Sequence, residues 1–83
     1  MPSATPPPAW IVAQRQITGD RIRAARIARN LTQERLGEAA DIDRQAINRI
    51  EQGHASPRLD TLLRIADALE VPPSDLVASE RAR

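Results

Sequence analysis

Five long side chains with hydrogen-bonding groups share one face of a helix predicted over residues 44–52. They occupy positions i, i+1, i+4, i+5 and i+8, and they are Arg44, Gln45, Asn48, Arg49 and Gln52. Such side chains suit the major groove of DNA, where Arg pairs with O6 and N7 of guanine and Gln or Asn pairs with N6 and N7 of adenine. An ordinary solvated helix surface has the same appearance, so this face alone leaves both interpretations open.

The opposite face of this helix must pack against a second element. Ala46, Ile47 and Ile50 are apolar there, and we expect them to contact Leu36 of a preceding helix over residues 33–40. Both helices would then hold the polar face at a fixed orientation toward solvent.

Local signals mark the ends of both helices. Thr32 and Asp43 precede them, and Thr and Asp side chains accept hydrogen bonds from the free N–H groups of a helix start. Asp41 interrupts the chain between the helices, and Gly53 ends the second one. Residues 32–51 therefore predict two helices joined by a tight turn.

A further helix is expected before this unit. It begins at about Gly19 or Asp20 and runs to Arg29, and it is followed by Asn30, which tolerates the left-handed backbone conformation. Residues 9–17 either form a short helix of their own or extend this helix backwards.

Two more helices are expected after the unit. The first follows Pro57 and has the strongest apolar periodicity of the chain. Its stripe consists of Leu59, Leu62, Leu63, Ala66 and Leu69. The second covers residues 74–78, with Pro73 suited to a first helical position.

Composition narrows the fold and excludes several kinds of site. The 83 residues have room for one domain, and the many Ala, Leu and Arg residues favour an all-α fold with an aliphatic core, since Phe and Tyr are absent. The chain has no Cys and one His, which excludes disulfides, thiolate sites and two-His metal sites. We expect no metal, no cofactor and no enzymatic activity, because no catalytic pair or phosphate loop is recognisable.

The net charge of +1 conceals an asymmetry along the chain. Residues 15–35 carry six Arg and two acidic residues, whereas residues 36–83 carry six Arg and nine acidic residues. The basic first part fits an anionic partner. It fits a solvated helix face equally well.

The chain divides into three predicted regions. Residues 1–17 are an N-terminal extension, of which residues 1–8 contain four Pro and are expected to be flexible. Residues 18–78 form the folded domain, and residues 79–83 form a C-terminal tail. No apolar run is long enough to span a membrane and no signal-peptide pattern is present, so we expect a cytoplasmic protein, associated with the nucleoid if it binds DNA.

The motifs of residues 19–77, taken in order, resemble the Cro/C1-type helix-turn-helix family, also called the XRE type, to which small phage repressors belong. The matching pieces are IRxxR (22–26), LTQExL (31–36), IDRQAINRIExG (42–53), SP (56–57) and LxTLLxIAxALxV (59–71). The resemblance implies a compact five-helix, lambda-repressor-like domain of bacterial or phage origin. It also implies binding to double-stranded operator DNA, usually as a homodimer.

The resemblance assigns roles to individual residues. Positions that contact bases match Arg44, Gln45 and Arg49, and Asn48 lies on the same face, where it could contact a base or the DNA backbone. Positions that contact phosphates match Thr32, Gln33, Asp43, His54 and Arg58, and the position of Gln33 also braces the helix over residues 44–52. A structural salt bridge between the first and third helices matches Arg26 and Glu51.

Five positions depart from the family pattern, and one of them, Glu70, replaces a Gly after the fourth helix and matters only locally. Asp41 replaces the usual Gly of the turn, and Gly37 replaces Ala in the second helix. Arg35 stands where Glu would complete a capping box with the preceding Thr. Asp43 replaces a Ser or Thr cap, so its negative charge lies close to the expected path of a phosphate.

Two segments are candidates for a dimer contact. The resemblance implies the fifth helix and its approach, with Val71, Leu76 and Val77. The alternative is the segment of Trp10, Ile11 and Val12, which equally fits packing on the chain's own core.

The primary hypothesis is a sequence-specific transcriptional regulator, a repressor, that binds a near-palindromic operator as a dimer with residues 44–52 in the major groove. The alternative is an antitoxin that binds a protein toxin and regulates its own operon. The Pro-rich lead and the segment at Trp10 would suit a toxin-binding arm, and they suit a simple tail as well.

Overall fold

The computed structural model describes residues 5–79. Within them lie five α-helices and no strand: α1 (Ala9–Ala28), α2 (Gln33–Ala40), α3 (Arg44–Glu51), α4 (Leu59–Leu69) and α5 (Pro73–Val77). The predicted all-α, five-helix fold is confirmed. In this described part, no helix has the length and apolar character needed to cross a membrane.

The first helix has the longer of the two forms that the sequence left open. α1 is continuous over 20 residues and begins directly after Pro8. Residues 9–17 thus extend it backwards, and the start predicted at Gly19 or Asp20 is wrong. The division placed after residue 17 coincides with no break in this helix. The predictions for residues 1–4 and 80–83 lie outside the described residues.

Gly19 lies inside α1 because α3 passes directly over it. A Cβ atom at this position would lie 2.5 Å from the carbonyl oxygen of Ile50 and 2.6 Å from that of Glu51. Only glycine lets the two helix backbones approach this closely. Gly37 plays a similar part in α2, where a Cβ would collide with the carbonyl oxygen of Ile42.

Side-chain caps begin the two central helices as predicted. Thr32 Oγ1 accepts a hydrogen bond from the backbone N–H of Arg35 at 3.0 Å, and Asp43 Oδ2 accepts one from the backbone N–H of Gln45 at 3.0 Å. Each cap satisfies one of the N–H groups that a helix start leaves without an intrahelical acceptor.

Left-handed residues other than glycine end three of the helices. Asn30 follows α1 with φ of 58°, Asp41 follows α2 with φ of 59°, and Glu70 follows α4 with φ of 58°. The Asp that replaces Gly between α2 and α3 therefore adopts the conformation that the turn requires. Asn and Asp reach this region more readily than most residues because their short polar side chains bond locally.

The core lies where α1, α3 and α4 meet α2 and α5. Its largest fully buried side chains are Ile22, Leu36, Ile47, Ile65, Leu69 and Leu76. The predicted α4 stripe is partly wrong, since Leu59 and Leu63 are exposed. The buried arc of α4 centres on Ile65 and Leu69, and Leu59 and Leu63 lie beyond its edge, whereas Leu62 packs against the core.

Candidate nucleic-acid interface

α3 presents the polar face on which the sequence analysis centred. Arg44, Gln45 and Arg49 are exposed and Asn48 is half-buried, while the apolar side of the helix packs on α1 and α2. Gln33 of α2 joins these four residues in lining one shallow depression. The structure therefore brings the predicted base-contacting residues together on one open surface.

A buried ion pair fixes α3 against α1. Arg26 Nε donates to Glu51 Oε2 at 2.7 Å, and Arg26 Nη2 donates to Glu51 Oε1 at 3.0 Å. A third donor of the same guanidinium, Nη1, reaches the carbonyl oxygen of Leu31 at 2.8 Å. The side chains are 12% and 2% exposed. The two residues expected to form a structural salt bridge thus make a two-point contact, which holds the α3 axis in one orientation.

Gln33 connects this pair to the exposed face. Its Nε2 atom donates to Glu51 Oε1 at 3.1 Å and to Asn48 Oδ1 at 3.2 Å. We call the four residues Arg26, Gln33, Asn48 and Glu51 the Glu51 network. The network reaches from α1 through the first turn of α2 to the middle of α3.

Three of the predicted phosphate-contacting residues, Thr32, Gln33 and Asp43, border this surface beside Arg44. Thr32 and Gln33 begin α2, where backbone N–H groups of the first turn lack intrahelical acceptors and attract anions. Asp43 caps α3 at the same side. A carboxylate cannot donate to a phosphate, so the geometry gives Asp43 a capping contact rather than a phosphate contact.

The loop after α3 contains the remaining phosphate candidates. His54 and Arg58 are both exposed. The backbone N–H of His54 bonds to the carbonyl oxygen of Arg49 at 2.9 Å, which closes the end of α3. Gly53 turns the chain with φ of 76°. Of the two candidates, Arg58 offers a phosphate its positively charged guanidinium group, and His54 offers an N–H group of its imidazole ring.

Gln16 takes part in this region although the sequence analysis did not single it out. Its Nε2 atom donates to the carbonyl oxygen of Gln52 at 3.3 Å, across 36 residues of sequence. Gly53 packs directly on the backbone of Gln16. No local pattern signals a contact between residues this far apart in the chain.

The predicted dimer residues separate into exposed and buried groups. Trp10, Val12 and Val77 are exposed large apolar residues. Leu76 is only 2% exposed, so its inclusion was wrong, because it already fills the core of its own chain. Val71 is half-buried and packs against that core as well.

Exposed apolar residues border a groove at the N-terminal end of α1. We call this the N-terminal groove, and its lining includes Trp10, Ile11, Pro57, Leu62 and Val77. Covering half-exposed apolar side chains of this kind with another apolar surface lowers the free energy, because it removes them from water.

Comparison with known proteins gives a consistent family assignment. A family model described as helix-turn-helix matches residues 22–76. The immunity repressor protein of Bacillus phage phi105 is 40% identical over 62 residues, which cover 75% of this chain and 43% of that repressor. The control protein C.BamHI of Bacillus amyloliquefaciens is 36% identical over 64 residues, which cover 76% of this chain and 79% of that protein. The chain thus spans less than half of the phage protein and most of the control protein.

A solved structure is similar to this chain in both fold and sequence. The P22 c2 repressor protein, crystallised in complex with a synthetic operator, superposes with a TM-score of 0.72 at 32% identity, covering 76% of this chain and 96% of that chain.

Proposed function

Because the chain belongs to the helix-turn-helix family, we propose that it is a sequence-specific transcriptional repressor that binds a near-palindromic operator as a homodimer. The observation that carries this proposal is the open α3 face of Arg44, Gln45, Asn48 and Arg49 above an apolar, buried reverse side. Similarity to an immunity repressor, a control protein and an operator-bound repressor supports it. The chain would act by binding, with no catalytic step.

In the proposed complex α3 lies in the major groove. Arg44 and Arg49 stand one and a half turns apart on α3 and are long enough to donate to guanine O6 and N7. Gln45 lies between them and offers both a donor and an acceptor to adenine. The Glu51 network positions these groups before DNA arrives, which lowers the entropy lost on binding.

Phosphate contacts would flank the groove on both sides of α3. Both side-chain hydrogens of Gln33 are engaged with Glu51 and Asn48, so Gln33 would bind a phosphate through its backbone N–H at the α2 start. Thr32 lies beside it, and Arg58 would hold a second phosphate beyond the opposite end of α3. These contacts orient the protein without reading the sequence.

Two copies are needed because one α3 helix reaches only a few base pairs. A two-fold dimer would set the two α3 helices about 34–36 Å apart, on half-sites one helical turn apart. We propose the N-terminal groove with Trp10 and Val77 as the contact between the copies, since its apolar residues are exposed in the single chain.

The test is selection from a random DNA pool with the purified full chain at moderate salt, followed by sequencing. We expect enrichment of a short inverted repeat, with affinity that falls steeply as salt rises because Arg side chains displace counterions. A variant with Arg44→Ala and Arg49→Ala should enrich no repeat. The control Arg64→Ala removes one exposed positive charge from α4 and should select the wild-type repeat.

Absence of any enriched sequence for the wild-type chain would overturn the proposal. The antitoxin interpretation would then gain weight. The N-terminal groove would be the surface to test against a protein partner.

A further inference from the structure

Each hydrogen bond of the Glu51 network can run in one direction only, because some members can only donate and others can only accept. The Arg26 guanidinium is a donor only, and the Glu51 carboxylate is an acceptor only. Glu51 Oε1 accepts from Arg26 Nη2 and also from Gln33. The atom of Gln33 that faces Glu51 must therefore be its NH2 group, and the orientation of this amide is fixed by chemistry.

The same NH2 group fixes the next amide. Gln33 Nε2 carries two hydrogens, and the second one points to Asn48 at 3.2 Å. The atom of Asn48 that accepts this hydrogen bond must be its oxygen, Oδ1. Gln52 Nε2, at 3.4 Å from the same oxygen, adds a second donor on the other side. The Oδ1 atom of Asn48 is thus surrounded by donors within the protein.

Asn48 then has one kind of group left for an external ligand. Within residues 5–79 the hydrogen bonds of the Asn48 side chain all engage Oδ1 and none engages Nδ2, and the side chain is half-buried on the face that carries Arg44 and Arg49. A free Asn offers one donor group and one acceptor. Here the protein holds the acceptor and leaves the NH2 group, so Asn48 is a donor at the DNA-facing surface.

This polarity changes which base Asn48 would recognise. An unrestrained Asn pairs with adenine because adenine offers N7 as an acceptor and N6 as a donor. Guanine presents two adjacent acceptors, N7 and O6, whereas cytosine presents the N4 amino donor. A group that only donates matches both acceptors of guanine, matches one acceptor each of adenine (N7) and thymine (O4), and opposes cytosine.

We propose that Asn48 selects guanine, and that Gln33 is the positioning residue that imposes this choice by holding the Asn48 amide oxygen. The inference rests on the proposed function, since it assumes that α3 lies in the major groove. It adds that the base preference at one operator position is decided by a residue of α2 that does not itself touch the base.

The test compares operator motifs selected from the same random pool by the full wild-type chain and by four variants, which are Asn48→Ala, Gln33→Met, Asn48→Asp and Arg49→Ala. Asn48→Ala identifies the position that Asn48 reads, because preference there should disappear. At that position the wild-type protein should prefer guanine over adenine by at least about fivefold. Gln33→Met keeps the length of the side chain and releases Asn48, so adenine should rise to within about twofold of guanine.

A third variant, Asn48→Asp, replaces the donor that Asn48 presents with an acceptor. Asn48→Asp keeps the shape of the side chain and lets one oxygen accept from Gln33 while the other faces the groove as an acceptor. Preference at the same position should change from guanine to cytosine, whose N4 group donates. Preference at the position read by Arg49, identified with Arg49→Ala, should stay the same in both Gln33→Met and Asn48→Asp. A purely structural effect would weaken all positions together, and thermal unfolding of each variant checks that it is folded.

The outcomes separate this inference from the proposed function. If the wild-type chain selects no repeat, both fail. If it selects a repeat and Asn48→Ala erases an adenine, or lowers affinity equally for all sequences as a phosphate contact would, the proposed function stands and the inference is wrong. Unchanged base preference in Gln33→Met also overturns it.

Discussion

The two halves of α1 are held to the rest of the protein in different ways. In the C-terminal half, Arg26 lies in a buried ion pair with two short hydrogen bonds to Glu51. In the N-terminal half, Trp10 borders an open apolar groove, and the bond from Gln14 to the carbonyl oxygen of Val77 is 3.5 Å long. Directional polar contacts fix the half that faces the candidate DNA surface. Adaptable apolar contacts characterise the half proposed for association.

The largest effect is expected where the fixed half is broken. Glu51→Ala leaves the Arg26 guanidinium buried without its carboxylate, so we expect a loss of about 3–5 kcal/mol in the free energy of unfolding. Urea denaturation measures it. The matched control is Glu70→Ala, which removes an exposed ion pair with Arg29 and should cost less than about 1 kcal/mol. Equal losses for the two variants would show that burial of the Glu51 pair contributes nothing.

The next effect concerns DNA binding by the surface whose orientation the C-terminal half of α1 fixes. Arg49→Ala should weaken binding to the selected operator by about 1–3 kcal/mol and relax base preference at one position. Arg58→Ala, at the proposed phosphate contact, should weaken operator and random DNA alike and lower the salt dependence. Binding titrations at several salt concentrations distinguish the two. Equal losses of Arg49→Ala on both DNAs would contradict base reading by this side chain.

A smaller effect is expected at the boundary between the halves. Helix propensity alone would make Gly19→Ala stabilising by about 1 kcal/mol. We expect the opposite sign, a loss of about 1–2 kcal/mol, because the added methyl group meets the carbonyl oxygens of Ile50 and Glu51. Thermal unfolding decides the sign. Stabilisation would mean that α1 and α3 can separate at no cost.

The smallest effect is expected in the open half. Val77→Asp places a charge beside the N-terminal groove and should raise the dissociation constant of the proposed dimer by about tenfold, which corresponds to roughly 1.4 kcal/mol. Sedimentation equilibrium measures the constant. Ile27→Asp changes an equally exposed apolar residue near the other end of α1 and should leave it unchanged. A dimer weakened by Ile27→Asp and not by Val77→Asp would move the contact away from the groove.

Features set by neighbouring residues were predictable from the sequence. The caps at Thr32 and Asp43 and the left-handed residues at Asn30 and Asp41 depend on a few consecutive residues, and the structure has all of them. The order of the five helices follows from the same local signals. The polar face of α3 follows from helical periodicity alone.

Features set by packing were not predictable in the same way. Gly19 was interpreted as a possible helix start, whereas it lies inside α1, where the backbone of α3 passes too close for a larger residue. The α4 stripe showed the periodicity correctly but not the centre of the buried arc, so Leu59 and Leu63 were misplaced. The bonds from Gln33 to Asn48 and Glu51 span 15 and 18 residues, and no local pattern indicates which amide oxygen they hold.

Trp10 gives the molecule a built-in optical probe. The chain has no Tyr and no other Trp, so its near-ultraviolet emission comes from one indole ring, 48% exposed beside the N-terminal groove. Along α1 this ring lies about 24 Å from Arg26, at a rise of about 1.5 Å per residue. Covering the groove should shift the emission to shorter wavelength, while events at the Glu51 network should leave it nearly unchanged. The emission of the unlabelled protein thus reports covering of the N-terminal groove separately from events at the candidate DNA surface.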